Sequence, residues 1–437
     1  MAAAPAACTA RRRYDVAALA DLLDGQNLKH LVPALNGTTL GALLLRSFDR
    51  VALLAHLRAL GVEKLQDRQK IANAAAQKMR AISLMTESSP ADTSHPVLSL
   101  PELIHRYGVH AGAVGLLMKA DGSFAHVNEA PKDRYGFVHY SAGLQQPKLD
   151  GPIIALVSQL AMLVGRPIYI PMQDEDAFVC EPAQSYMRTA PRLNGEKLSD
   201  FRDAFGEDVA VLTTTHSHGV PSAPCVGLMP AFDSWVSDDA GADAWMLRLR
   251  SQPLRRDLPY VKRHSKAVWR GSMTGGGAST SLRGRVVEAC RNSAWADVAF
   301  VGEMHGRGMS QGADSGAIRV QGELSREEQA AYKIILALDG HTWASAWEWA
   351  LASGSVIVYI GVWSFHGMAE LEPWVHFVPC AGAEELEKCV RWVLAHEEEA
   401  ERMVQSAYEL FRAKLTTQEH ARKCIARALA TLAAGTT

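Results

Sequence analysis

The stretch Tyr332 to Val358, YKIILALDGHTWASAWEWALASGSVIV, decides the fold. Ile334 to Leu338 and Val356 to Tyr359 are continuous apolar runs of strand length, with Gly340 and Gly354 beside them as turn signals. Between the two runs, Trp343, Trp347 and Trp349 read as an amphipathic helical segment that buries its aromatic rings. Strand, helix and strand in so short a span call for parallel pairing with a helical crossover.

The same alternation extends outward. Ala267 to Trp269 and Val298 to Val301 are further strands of this block. Upstream, Ala113 to Met118, Pro167 to Met172 and Val209 to Thr213 read as strands, with Ile153 to Val164 as a helix. Two α/β halves are expected, residues 101–255 and 256–432, each a parallel sheet with helices on both faces and a cleft between them. Glu384 to Phe411 reads as one long helix with Leu386, Val390, Val393, Ala400, Met403, Val404, Ala407 and Leu410 on its buried face. Glu397, Glu398, Glu399 and Glu401 form its hydrated side.

Before these halves, residues 83–100 (SLMTESSPADTSHPVLSL) have the composition of a linker. Residues 14–82 are helical, with Val16, Leu19, Leu22 and Leu23, then Leu40, Leu43 and Leu44, then Leu53, Leu54, Leu57 and Leu60 at helical spacing. Glycines 25, 37, 41 and 61 punctuate four or five short helices, the last running from about Leu65 to Met79. The periodicity is complete before the linker, so residues 1–85 are expected to fold alone and to self-associate.

Bulk composition narrows the function. The chain has 437 residues, 48% of them apolar, enough for two or three cores. Its 45 Lys and Arg against 47 Asp and Glu give a net charge of −2, which excludes the global basic field of a non-specific nucleic-acid binder. Phosphate binding must therefore be local. Seven scattered cysteines without a CxxC support neither a zinc knuckle nor a disulfide framework, and they fit a reducing compartment. The first residues lack the apolar core of a signal peptide, and no apolar run approaches membrane-spanning length, so a cytoplasmic protein without a membrane span is expected.

Three places carry chemistry. KAVWRGSMTGGGASTSLRGR (266–285) places Gly275, Gly276 and Gly277 before a helix that starts near Arg283 and Arg285, a combination suited to an anion. IYIPMQDEDAF (168–178) ends a strand with Asp174, Glu175 and Asp176, where crowded like charges raise one carboxyl's pKa and suit it to base work; a solvated acidic turn explains the same pattern. His216 and His218 form an HxH that, without a third ligand nearby in sequence, is a weak metal candidate, so no metal is expected.

Two resemblances add to this reading. HLRALGVEKLQDRQKI (56–71) resembles the end of a SAM domain, where a leucine-rich helix turns at glycine into the long last helix. The WRGS segment with its later arginine, the YK…LDG…ASGSVIV block and LEPWVHFVPC (371–380) resemble glycosyltransferase family 90, the protein O-glucosyltransferase type, over about residues 100–425. The resemblance implies a small all-α bundle followed by a GT-B-type glycosyltransferase with two Rossmann-like halves. It implies an inverting, metal-independent transfer from a UDP-sugar of glucose or xylose type, with no cofactor, to a hydroxyl on a protein or glycan. Ser272, Arg283 and, as a further match, Arg285 would address the diphosphate; Gly340 and the N–H groups after it would hold the pyrophosphate, with Trp343 in the same donor block. Asp174, with Asp176 in reserve, would deprotonate the acceptor. His376 reads as a hydrogen-bonded core histidine.

The sequence departs from the family pattern. Ala346 and Ala344 stand where the family places an arginine and a serine, and PAFDSW (230–235) lacks the aspartate expected before it. These departures keep open a scaffold, in which a SAM-type module joins a transferase fold that no longer catalyses. RNA binding by the helical module finds no basic stripe to support it.

Overall fold

In the computed structural model the described residues are 15–88, 115–118, 124–127, 168–171, 210–213, 216–217, 226–230, 244–274, 281–301, 321–340 and 343–434, with a few single positions between 157 and 165. The first unit is helical: α1 (Val16–Gly25), α2 (Leu40–Arg46), α3 (Arg50–Ala59) and α4 (Leu65–Ser88), with a 3₁₀ turn at Lys29–Leu31. Short side chains start the helices, Asp15 accepting from the Ala18 N–H at 3.0 Å, Thr39 from Ala42 at 3.1 Å and Asp49 from Ala52 at 3.0 Å. α3 stops at Gly61, whose φ of +89° lets Val62 N–H return to the Leu57 carbonyl. Gly41 does not punctuate; it lies buried inside α2. α4 runs to Ser88, into the stretch expected as linker, because nothing in ISLMTES breaks a helix before Pro90.

The first sheet has the order β2-β1-β3-β4-β6, built from β1 (Gly115–Met118), β2 (Phe124–Val127), β3 (Ile168–Pro171), β4 (Ala210–Thr213) and β6 (Val226–Leu228). β3, β4 and β6 are parallel, but β1 runs antiparallel to both β2 and β3, so this sheet is mixed and not parallel throughout. β1 and β2 are joined as a hairpin, a connection too short for a crossover. Of the helix expected over 153–164, Val157, Leu160, Leu163 and Val164 are described; all four are buried, the first two helical and the last two in a turn.

The second sheet is parallel throughout, in the order β12-β10-β9-β7-β8, from β7 (His264–Gly271), β8 (Ala296–Phe300), β9 (Tyr332–Leu338), β10 (Val356–Ile360) and β12 (Val378–Pro379). Counted within this half the order is 2-1-3-4-5, a doubly wound arrangement whose direction of winding reverses between β7 and β9. β9 and β10 are buried at almost every position, as expected of parallel strands covered on both faces. A two-residue strand, β5 (His216–Ser217), pairs antiparallel with β11 (Trp363–Ser364) and joins the first half to the second.

The remaining helices are α5 (Ala244–Ser251), α6 (Leu282–Ala289), α7 (Arg326–Gln329), α8 (Trp347–Ala350), α9 (Leu386–Ala395), α10 (Glu397–Leu410) and α11 (Gln418–Ala434), with a π-helical turn at Phe411–Leu415 before α11. The segment expected as one helix from Glu384 is therefore two, broken at His396 (φ −119°, ψ 64°). Glu397, Glu398 and Glu399 occupy the first turn of α10, where the helix dipole favours negative charge.

α11 packs against β6 and β4 on one side and α2 on another. Gly227 permits this approach, since a Cβ there would sit 2.9 Å from the Ala428 Cβ. Leu40 to Leu45 are all buried, and a helix apolar all round is covered all round. The N-terminal bundle is thus docked on the C-terminal helix. Part of the cover of α2 thus comes from residues almost four hundred positions away, which the periodicity does not show.

Candidate functional site

The reversal between β7 and β9 places a crevice beyond their carboxyl ends, the position where open α/β sheets bind ligands. β7 ends at Gly271 and continues to Ser272 and Thr274; β9 ends at Leu338 and continues to Asp339 and Gly340. Arg283, in the first turn of α6, reaches between them. Its guanidinium donates to the carbonyls of Ser272 (3.0 Å), Leu338 (3.0 Å) and Asp339 (3.2 Å) and to the Thr274 hydroxyl (2.6 Å). It also lies 5.4 Å above the Trp269 ring, so an aromatic face and a row of carbonyl oxygens hold one positive charge at the crevice. α6 is started by Ser281, whose hydroxyl accepts from the Gly284 N–H at 3.0 Å.

Gly340 has no room for a side chain. A Cβ would collide with the Thr274 hydroxyl and lie 2.9 Å from the Arg283 guanidinium carbon. The backbone therefore passes directly against Arg283, the close approach for which a glycine is required.

Asp339 forms the inner wall. It is 4% exposed, and its carboxylate accepts four hydrogen bonds: Oδ1 from the Ala344 N–H (3.0 Å), Oδ2 from the N–H groups of Val362 (2.7 Å) and Trp363 (2.9 Å) and from the Tyr359 hydroxyl (3.0 Å). Gly361 lies against this carboxylate, where a Cβ would overlap it. Burial pushes the Asp339 pKa up to about 7, against the pull of its four donors, and burial with the adjacent carboxylate raises that of Tyr359.

Ser272, Arg283 and Gly340 thus meet at one crevice. Arg285 does not join them: two residues further along α6 it emerges on another face and is exposed. Trp343 is buried, stacked on Phe365 with ring centroids 4.9 Å apart, and forms part of the core beneath the loop. Trp347 and Trp349 are buried as the amphipathic reading expects. Ala344 serves through its backbone, and Ala346, half-buried, precedes the first turn of α8. Asp174, Asp176, His218 and Gly275 to Gly277 lie outside the described residues, and among the described residues no cluster of His, Cys, Asp or Glu suits a metal ion. His376 is half-exposed rather than core, its Nδ1 accepting from the Glu372 N–H at 2.9 Å.

Three contributors escape sequence reasoning. Asp339 stands in the quoted block, yet only its burial and four donors reveal its weight. Thr274 reads as part of a glycine-rich loop. Tyr359 reads as the end of an apolar strand. Arg270 of the WRGS segment has a scaffold role, binding Asp297 at 2.8 Å and Gln321 at 2.6 Å with its side chain buried.

Residues 227–421, from β6 to the start of α11, match the model of glycosyl transferase family 90. An uncharacterized protein, 035R, of Invertebrate iridescent virus 3 is 29% identical over 167 residues, covering 35% of this chain; the chain spans about 15% of that protein's length. Among solved structures, Anabaena HepE in complex with UDP-glucose aligns over 61% of this chain and 72% of its own, at 10% identity and a TM-score of 0.32. TarM aligns over 52% and 49% at 10% identity and 0.29, and the GtfA/B complex over 40% and 38% at 16% identity and 0.26. The strand order and register of the second sheet define its α/β fold. Among the described residues, no helix is long and apolar enough to cross a membrane.

Proposed function

We propose that the chain transfers a sugar, of glucose or xylose type, from a UDP-sugar to a hydroxyl of a protein or glycan, with inversion and without a metal. The observation that supports it best is the convergence of Ser272, Arg283 and Gly340 at the winding reversal of the sheet inside the glycosyltransferase family domain. On this reading the Arg283 charge and the Gly340 backbone stand beside a departing diphosphate, and the resemblance adds the N–H groups that follow Gly340 in sequence. The acceptor oxygen gives its proton to Asp174 and bonds to the anomeric carbon. The bond from that carbon to the β-phosphate oxygen breaks, and UDP leaves with the electron pair. Asp174 has this role by resemblance alone, and it precedes the stretch that the family model covers.

The titration of the full chain with UDP and UDP-glucose tests the reading, together with a product assay on peptide and glycan hydroxyls. Saturable binding and UDP release are expected. No binding of either ligand would overturn it.

One observation favours a second reading, a transferase fold kept as a scaffold: Ala346 occupies the family's arginine position. The Arg283 guanidinium is also engaged by carbonyls in this structure. On that reading Ala346→Arg strengthens UDP binding by roughly 10- to 150-fold, the worth of a hydrogen bond to a charged group, and wild-type turnover is absent. The SAM-like bundle would then supply contacts with partner proteins or with a second copy.

A further inference from the structure

Asp339 connects more than the crevice wall. Its two oxygens divide their partners between different parts of the molecule. Oδ1 holds the Ala344 N–H, at the far end of the loop that begins with Gly340. Oδ2 holds Val362 and Trp363. Trp363 is the first residue of β11, and β11 is the strand that pairs with β5, Trp363 opposite Ser217 and Ser364 opposite His216. One buried carboxylate therefore ties the loop at the ligand crevice to the ladder that joins the two halves. Its surroundings leave it little freedom, because Gly361 packs directly against Oδ2 and the Tyr359 hydroxyl donates both to Oδ2 and to the Trp363 carbonyl, at 3.0 and 2.8 Å.

From this arrangement we infer that Asp339 is a positioning residue, which couples occupancy of the crevice loop by the nucleotide sugar to the β5–β11 ladder and so to the acceptor-bearing half. The inference rests on the donor reading above and adds a route between the two sides of the reaction. Donor contacts at Gly340 and Arg283 fix the start of this segment; the Ala344 N–H at its far end holds Oδ1; and the opposite oxygen holds β11 in register with β5. A hydroxyl acceptor presented by the first half then meets a donor whose loop and ladder share one anchor.

Asp339→Asn separates the two sides. The amide keeps one acceptor oxygen, and three donors converge on Oδ2 against one on Oδ1, so the amide oxygen takes the Oδ2 place. The NH₂ group then faces the Ala344 N–H, and the loop loses its tether while β11 keeps its own. Tyr359→Phe does the reverse, removing one donor to Oδ2 and leaving Ala344 in place. Isothermal titration with UDP-glucose, at a temperature well below both unfolding midpoints, is expected to give a dissociation constant raised about tenfold in Asp339→Asn, the loss of one hydrogen bond to a charged group, and less than threefold in Tyr359→Phe.

Hydrogen exchange of the wild type supplies the readout that a purely structural aspartate would not move. UDP-glucose should slow exchange in the segments containing Ala344, Trp363 and Ser217 together, and Asp339→Asn should confine the protection to the first. If Asp339→Asn does not fold, the wild-type pattern carries the test: protection of Ala344 without Trp363 and Ser217 overturns the coupling. Wild-type binding with an unchanged dissociation constant in folded Asp339→Asn overturns it as well and leaves the donor site standing. A wild type that binds no UDP-glucose removes the donor reading, and the coupling with it.

Discussion

The two edges of the second sheet each bury a charged side chain among neutral partners, and they use it differently. At the carboxyl edge Asp339 accepts from three N–H groups and one phenol. At the amino edge Arg263, 6% exposed, donates to the carbonyls of Ser353 (2.9 Å), Leu258 (3.3 Å) and Arg255 (3.3 Å) and to the Ser355 hydroxyl (2.9 Å). Gly354, with φ of +76°, turns the chain around it, and a Cβ there would lie 2.6 Å from Nη2. Burial pulls the Arg263 pKa down to about 10. Both groups satisfy backbone that regular structure leaves unpaired, which neutral side chains would do less completely. Only Asp339 stands beside the crevice, so loss of Arg263 should affect stability, and loss of Asp339 should affect ligand binding too.

The largest effect expected from this contrast is that of Arg263→Met. It leaves the buried Ser353 carbonyl and Ser355 hydroxyl, and the part-buried Leu258 carbonyl, without their arginine donor, at about 1 to 3 kcal/mol each before relaxation, so urea unfolding should show a loss of about 3 kcal/mol or more. UDP affinity of the folded protein should be unchanged. A shift in affinity would mean that the two edges are not separate in function.

Gly361→Ala comes next. Its Cβ must displace the Asp339 carboxylate, so a cost of about 1 to 3 kcal/mol is expected, the usual price of overpacking. Here UDP-glucose affinity should fall as well, because the displaced group holds the loop. Stability lost with affinity kept would make the carboxyl edge a scaffold like the amino edge.

Ionisation gives a smaller and graded test. The folded pKa of Asp339 lies above its unfolded value, so the native state binds more protons than the unfolded chain between about pH 4 and 7. Its contribution to stability must therefore rise as pH falls from about 7 toward 4. His420, 3% exposed and held down to about 4, acts in the opposite sense: its contribution is lost as pH falls from about 6.5 through 4. His366, which burial holds lowered, adds to that loss. Thermal midpoints at pH 7 and 5 should show Asp339→Asn losing the acid-side gain, and His420→Asn losing the acid-side penalty. The same pH slope in wild type and both variants would refute these assignments.

Much of this was legible in the sequence, and the limits are physical. β9 and β10 announce themselves because strands covered on both faces have nothing but apolar residues to show. Arg283 and Gly340 are legible as residue types suited to an anion at a strand end. The weight of Asp339 is not, because an aspartate beside a glycine reads equally well as a turn, and its donors come from residues up to 24 positions away. Arg285 could not be told from Arg283 without the helix that turns them to different faces. β1 reads as a strand, but its antiparallel direction depends on a hairpin that periodicity does not encode. The split at His396 was hidden because both helices keep an apolar face in phase. Part of the cover of α2 was invisible because it comes from α11.

That same pair of arginines tests most directly whether the crevice between β7 and β9 is the donor site. UDP titrations of the full chain as wild type, Arg283→Ala and Arg285→Ala would decide it. Binding lost in Arg283→Ala and within twofold of wild type in Arg285→Ala is the expected result. Equal binding in all three, or binding lost only in Arg285→Ala, would contradict it.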